Sequence, residues 1–297
     1  DGNVGAWGYA RGGMGAITQA MASAARERGV EIELNAAVER VLVADGKATG
    51  VLMKSGETLR AKTVVSNVNP ALLYNSLVNA ADLPEDFARR MRHYRNGSGT
   101  FRMNVALSEL PKFTCLENQA RATEDHLTGG IVIGPTMEYL DRSYRDAREY
   151  GWSKQPLVEM LIPSLVDDTL APSGQHVASL FCQQFDPDVD WDQHRDTAAE
   201  QILDQVEKYA PGFKASIVGR QVLSPLDLER KFALNRGDIM HGALNLDQMF
   251  SARPVMGHGD YRAPIKNLYM CGAGTHPGGG VTGAPGHNAA KEILRDL

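Results

Sequence analysis

The 297 residues carry a formal net charge of -5 with a pI near 5.9, so no electrostatic footprint for nucleic acid is present. Hydrophobic residues at 43% and charged residues at 23% are globular proportions, in a chain long enough for one large core or two modest ones. No apolar run approaches the roughly 18 residues that span a bilayer; peripheral membrane contact and a homodimer both stay compatible with this composition. Cys115, Cys182 and Cys271 stand far apart with no CxxC pair, which leaves no zinc or redox motif and fits small buried thiols in a reducing compartment. The expected setting is the cytoplasm in a bacterium or the mitochondrial matrix in a eukaryote.

In chain order, residues 1–13 are rich in glycine, at 2, 5, 8, 12 and 13. They lack an initiator methionine and a basic-then-apolar leader, and we expect a further segment ahead of Asp1. Met14, Ile17, Met21, Ala24 and Ala25 recur at helical spacing, and Gly29 sits where the helix should stop. The G-G-M-G-A-I run at 12–17 is not read as a dinucleotide fingerprint, because no strand precedes it and Thr18 stands where a third glycine or alanine belongs. Val30, Ile32 and Leu34 alternate with Glu31 and Glu33, predicting a half-buried strand. Val38–Val43 and Ala48–Met53 flank Asp45-Gly46, a hairpin signal. A third run begins at Leu59, Thr63–Ser66 reads as an apolar strand, and Asn69-Pro70 leads into a helix around 71–77.

From about Leu83 the composition shifts to charge. Arg89, Arg90, Arg92 and Arg95 suit a solvated helix face better than a phosphate site. Thr100–Leu107 reads as a strand, residues 108–156 resist placement apart from a polar helix over Met137–Tyr150, and two further strands are expected at Pro156–Ser164 and His176–Gln184. Asp167 and Asp168 between them could act as a metal or acid–base pair, although Asp-Asp-Thr more often caps a turn. An amphipathic helix over Thr197–Tyr209, a strand over Ile217–Leu223 and a helix starting at Ser224-Pro225 follow.

The segment 267–290 runs from apolar Leu268–Cys271 through a cluster of glycines to a helix expected near Val281. Glycines let backbone amides approach a ligand, and a helix N-terminus carries partial positive charge, so this order suits an electron-rich or anionic oxygen. The motif G-A-G-T-H-P-G-G-G-V-T-G-A at 272–284 resembles the C-terminal flavin motif of the phytoene desaturase and carotenoid isomerase branch of FAD-dependent oxidoreductases. The S-N-x-x-P turn at 66–70 and the D-x-T-L-A-P-x-G turn at 167–174 resemble that family too.

What the resemblance implies is an α+β or α/β chain: part of a glutathione-reductase-like FAD/NAD(P)-binding domain at 1–80 and 260–297, and a mixed-sheet substrate domain with helices at 81–259. It implies FAD contacts from Val38, Gly272, Ala273, Gly274, Gly279, Gly280, Val281 and Thr282, with no metal. Val38 is equally a plain strand residue. His241, in a G-x-I-x-H stretch, and His276, inside the flavin motif, are the candidate catalytic residues, though a lone loop histidine is more often structural. The Ala-Arg-Pro turn at 252–254 lines the cavity before the flavin ring in that family. Many related amine oxidases carry an acidic residue near Gly274, and its absence points away from amine oxidation. Hydride transfer from an apolar substrate, such as a polyene, to flavin is the implied reaction; the alternative is a catalytically silent module kept for protein binding or dimerisation. Since no GxGxxG unit is present, these 297 residues made alone are expected to hold little or no flavin and to be inactive.

Overall fold

The computed structural model describes residues 8–97, 99–116 and 124–297; Gly2 and Gly5 of the glycine-rich opening, and part of the unplaced 108–156 stretch, lie outside the described residues. Helix α1 spans Met14–Arg26 and closes as expected, with the Val30 amide reaching back to the Ala25 carbonyl at 3.1 Å. The strand expected over Val30, Ile32 and Leu34 does not form. Alternation makes a ladder only when a neighbouring backbone takes the N–H and C=O groups. No described strand pairs with this segment, and its three apolar side chains are 51%, 39% and 76% exposed.

The hairpin forms where expected. Val38–Ala44 (β1) and Lys47–Met53 (β2) pair antiparallel, and both Asp45 and Gly46 take positive φ, +50° and +71°, as a type I′ turn requires. Thr58–Arg60 (β3) extends this sheet, and Val64–Ser66 is β4. The next helix is shorter than expected: α2 covers Pro70–Leu72, where Asn69 accepts the Ala71 amide at 2.8 Å, and a wider π-type turn continues it over Leu73–Leu77. There follow α3 (Glu85–Arg92), β5 (Thr100–Leu107), β6 (Ile131–Ile133), α4 (Met137–Tyr150) and β7 (Trp152–Leu161). The chain continues through β8 (His176–Phe185), α5 (Trp191–Tyr209), α6 (Phe213–Ser216), β9 (Ile217–Leu223), α7 (Pro225–Phe232), β10 (Leu268–Met270) and α8 (Ala284–Asp296).

Two compact units result, one from the described residues of Asp1–Ile32 and Gly99–Leu226, the other from Glu33–Ser98 and Asp227–Leu297. Their boundaries fall elsewhere than the sequence-based divisions at 80/81 and 259/260. The first unit holds an antiparallel sheet of order β6-β7-β8-β5-β9. Along β5 the residues alternate strictly: Phe101, Met103, Val105 and Leu107 are buried, while Arg102, Asn104 and Ala106 are half-buried on the other face. The inward row packs in one core with Leu180 and Cys182 of β8 and with Ala198, Ile202 and Val206 of α5. Trp191 wedges into it, its ring 5.6 Å from that of Phe101 and its indole N–H donating to the Asp186 carbonyl at 2.9 Å.

The Asp167-Asp168 pair has a structural use. Asp167 accepts the amides of Gly12 and Gly13 at 2.7 and 3.3 Å and the Thr169 hydroxyl at 2.6 Å, and Arg11 pairs with Asp168 at 2.7 Å. The Thr169 hydroxyl first, then those amides, hold the Asp167 carboxyl below its usual range. The glycine loop ahead of α1 is thus already occupied by an internal carboxylate. In the second unit the three-stranded sheet β1-β2-β3 and the parallel pair β4/β10 share a core with α2 and α3 that includes Val41, Leu73, Phe87, Met91 and Met270. The Tyr74 and Phe87 rings meet edge-on at 4.7 Å.

Leu180 is fully buried at the centre of β8. Leu180→Ala is expected to cost about 2–5 kcal/mol in unfolding free energy, measured by urea or guanidinium melts of the two proteins.

Candidate functional site

The glycine segment is positioned by β10. All three residues of that strand are buried; it runs parallel to β4 with Leu268 opposite Val64 and Met270 opposite Ser66, and the Cys271 amide prolongs the ladder to the Ser66 carbonyl at 2.8 Å. The chain then folds on itself, because the Thr275 amide and hydroxyl both donate to the Gly272 carbonyl, at 3.1 and 3.0 Å. Gly274 abuts the start of α2: a Cβ there would lie 2.7 Å from two ring carbons of Pro70. No side chain fits, which accounts physically for the missing acidic residue at this place.

One side chain holds the turn from the outside. Arg253 is 1% exposed and donates Nε and Nη2 to the Ala273 carbonyl at 3.0 and 2.7 Å, Nη1 to the Gln248 carbonyl at 3.1 Å, and Nη2 also to the Met240 carbonyl. Its guanidinium therefore ties the 240 and 248 loops to the turn. Met240 also sets the space at Gly279, where a Cβ would stand 3.1 Å from the methionine sulfur and 3.8 Å from the Ala273 Cβ. Gly272, Ala273, Gly274 and Gly279 are thereby brought into one cluster.

Beyond Gly278 the loop comes to the surface: Gly279, Gly280, Thr282 and Gly283 are exposed and Val281 is 75% exposed. Val281 has φ +57°, a conformation costly for a β-branched residue. Helix α8 starts at Ala284, three residues later than expected, because Gly283 at φ +70° is its N-cap and Thr282 accepts the Ala284 amide at 3.1 Å. Among the described residues, the amides of Gly279, Gly280, Val281 and Thr282 have no protein acceptor. Val38 heads β1 opposite Met53, and no described hydrogen bond joins it to this turn.

The two candidate histidines stand differently. His241 has φ +57°; its amide donates to the Asp238 carbonyl at 3.3 Å and its own carbonyl accepts the Tyr94 hydroxyl at 2.8 Å. Its Nδ1 is shielded without a hydrogen-bond partner. Burial lowers its pKa and the charge of Arg253 acts the same way, against the opposing pull of Asp238. His276 is pinned through its main chain, whose carbonyl accepts the Tyr261 hydroxyl at 2.8 Å, and that hydroxyl in turn accepts from the Asn288 amide at 3.0 Å. Its ring lies 6.4 Å from that of Phe250.

Sequence reasoning missed two groups here, and the role of a third whose turn it had named. Asp238 is fully buried and accepts the amides of Gly97, Met240 and Gly242, at 2.8, 2.8 and 3.0 Å. Tyr94 lies so close to Gly242 that a Cβ there would sit 1.9 Å from its hydroxyl oxygen, and burial pushes its pKa up to about 12. Arg253 is the third; the signal available was an arginine between Ala252 and a proline in an otherwise apolar stretch.

The family of flavin-containing amine oxidoreductases matches residues 2–294. The chain belongs to that family. Gly274 thus weighed too heavily against it: one position closed by Pro70 does not exclude the family. Rat pyridine nucleotide-disulfide oxidoreductase domain-containing protein 2 is 41% identical over 306 residues, covering 100% of this chain and 52% of its own length. The lycopene-forming phytoene desaturase of Pseudescherichia vulneris is 27% identical over 98% of this chain and 57% of its own. A solved oxidoreductase from Methanosarcina mazei shares the fold, with a TM-score of 0.64 at 16% identity over 96% of this chain and 55% of that one. The chain spans about half the length of the relatives it matches. The α+β arrangement of mixed helices and sheets is that of flavin amine oxidase relatives.

Two outcomes follow from this geometry. Arg253→Met leaves three loop carbonyls without donors and is expected to cost about 3 kcal/mol or more, read as a lowered denaturation midpoint. His241 resists protonation in the fold, whereas the unfolded chain takes up that proton near about 6.5. The unfolded state then binds more protons, so stability declines as pH falls from about 6.5 toward the lower folded value. His258, also lowered by burial, adds to the slope. His241→Asn is expected to flatten the pH dependence of the thermal midpoint in that window.

Proposed function

We propose that this chain is the flavin-ring and substrate-binding portion of an FAD-dependent oxidoreductase, with a partial glutathione-reductase-like cofactor domain. The observation that carries the reading is the chemistry of the donor set at 272–283. A turn closed by Thr275 and clipped by Arg253 leads to consecutive amides without protein acceptors immediately before the N-terminus of α8. Such a set fits an electron-rich oxygen like the flavin C2 carbonyl, and a helix N-terminus there favours negative charge on the ring edge.

When bound, the flavin supplies an electron sink for hydride transfer from the substrate. Gly272, Ala273, Gly274, Gly279, Gly280, Val281 and Thr282 would hold its ring, and Val38 would serve the adenine end. Arg253 keeps the Ala273 turn in register with the 240 loop. His241, whose protonation is disfavoured by burial, is the substrate-side residue of this reading, and His276 keeps the loop closed through its carbonyl. The unit of Glu33–Ser98 and Asp227–Leu297 serves the cofactor and the sheet unit serves the substrate, an apolar molecule of the kind named for the desaturase relative.

The test is a visible absorption spectrum of the protein prepared at the full length of its relatives. We expect flavin bands, lost in Gly279→Leu while the far-UV circular dichroism is kept, and little flavin on the 297-residue chain alone. A colourless full-length preparation overturns the reading in favour of a silent module.

A further inference from the structure

In the five-stranded sheet, the face turned away from α5 carries polar groups that mostly satisfy each other. Gln183 donates to Glu159 at 2.9 Å and Asn104 to Gln221 at 3.2 Å. Arg102 is the exception among the described residues of this face. It stands between Phe181 of β8 and Leu223 of β9 in the sheet register, its guanidinium carbon is 4.9 Å from the Phe181 ring centroid, and its single hydrogen bond is a long one, 3.4 Å to the Ser179 hydroxyl.

A guanidinium has five N–H donors in a planar fork, and most of this one's have no protein acceptor among the described residues. Other arginines of the protein show what a satisfied one looks like: Arg262 engages Asp260, Glu292 and Asp296, and Arg253 spends its donors on three carbonyls. Burial lowers the pKa of Arg102, and the Glu159 carboxylate, across Phe181 on β7, offsets this only in part. No carboxylate lies within ion-pair distance of it among the described residues. Phe181 itself, Leu157 opposite Gln183, and Leu161 opposite Ser179 add apolar surface to the same face.

We propose that Arg102 is a ligand-binding residue that takes the carboxylate of an otherwise apolar molecule, through the paired oxygens that match its fork. The aromatic ring of Phe181 orients the guanidinium, and the leucines receive the apolar part. This rests on the reading that the sheet unit serves the substrate, and it replaces the plain hydrocarbon suggested by the desaturase relative with an amphiphilic acid.

The test is calorimetric titration of the 297-residue chain with octanoate and, separately, 1-octanol, for the wild type, Arg102→Met and Arg102→Lys. We expect the wild type to prefer octanoate. Arg102→Met should weaken octanoate about tenfold or more, the scale of a lost charge-assisted hydrogen bond, and leave octanol unchanged. Arg102→Lys keeps the charge without the fork and should lie between, which preserves the test where the methionine variant fails to fold. Equal binding of the two probes by the wild type, no binding of octanoate, or unaltered octanoate affinity in the lysine variant each overturns the proposal. The flavin spectrum of the full-length protein is a separate measurement, so failure here leaves the cofactor reading standing and the converse also holds.

Discussion

The second unit depends on a buried positive charge, that of Arg253, which has no carboxylate in direct contact among the described residues. Arg253 is neutralised by the dipoles of three loop carbonyls, those of Met240, Gln248 and Ala273. Burying a guanidinium costs several kcal/mol unless its donors are filled, so these loops are held in whatever arrangement keeps the carbonyls converging on it. The Gly272–Thr275 turn, the space at Gly279 and the conformation of His241 follow from that requirement. Asp238 acts as the complementary device, gathering the amides of Gly97, Met240 and Gly242. One side chain collects acceptors and the other collects donors, and between them a stretch with little regular structure acquires a defined shape.

The tight part of the glycine segment and its exposed part have different physical origins. At Gly274 the ring of Pro70 bars a side chain, and at Gly279 a Cβ would press on the Met240 sulfur. From Gly280 to Gly283 no neighbour bars one. There the chain adopts positive φ at Gly280, Val281 and Gly283, and Val281 pays for it in strain.

Elsewhere, apolar periodicity and burial part company. Helix α1 has the spacing of an amphipathic helix and forms where expected, yet it has no buried residue, and Met14 and Met21 are 59% and 63% exposed. The adjoining Val30–Leu34 alternation has no described strand to pair with. Periodicity records which face a segment is able to bury; whether that face is covered depends on another element being present.

The sequence by itself determined the elements whose signals are local. The Asp45-Gly46 hairpin, the β5 alternation, the Ile217–Leu223 strand and the body of α4 and α5 rest on turn chemistry and periodicity within about twenty residues, and these were legible. So was the family, since the spacing of its glycine motif is carried in one continuous stretch. Tertiary structure alone decided what lies far apart in the chain but close in space. The Arg253 clip, the Asp238 amide cluster, the Tyr94–Gly242 contact, the closure of Gly274 by Pro70 and the half-satisfied Arg102 all join residues with no fixed separation in sequence. The start of α8 was decided in the same way: its cap depends on backbone angles at Val281 and Gly283 that no residue type specifies, because those angles are set by where the preceding turn is held.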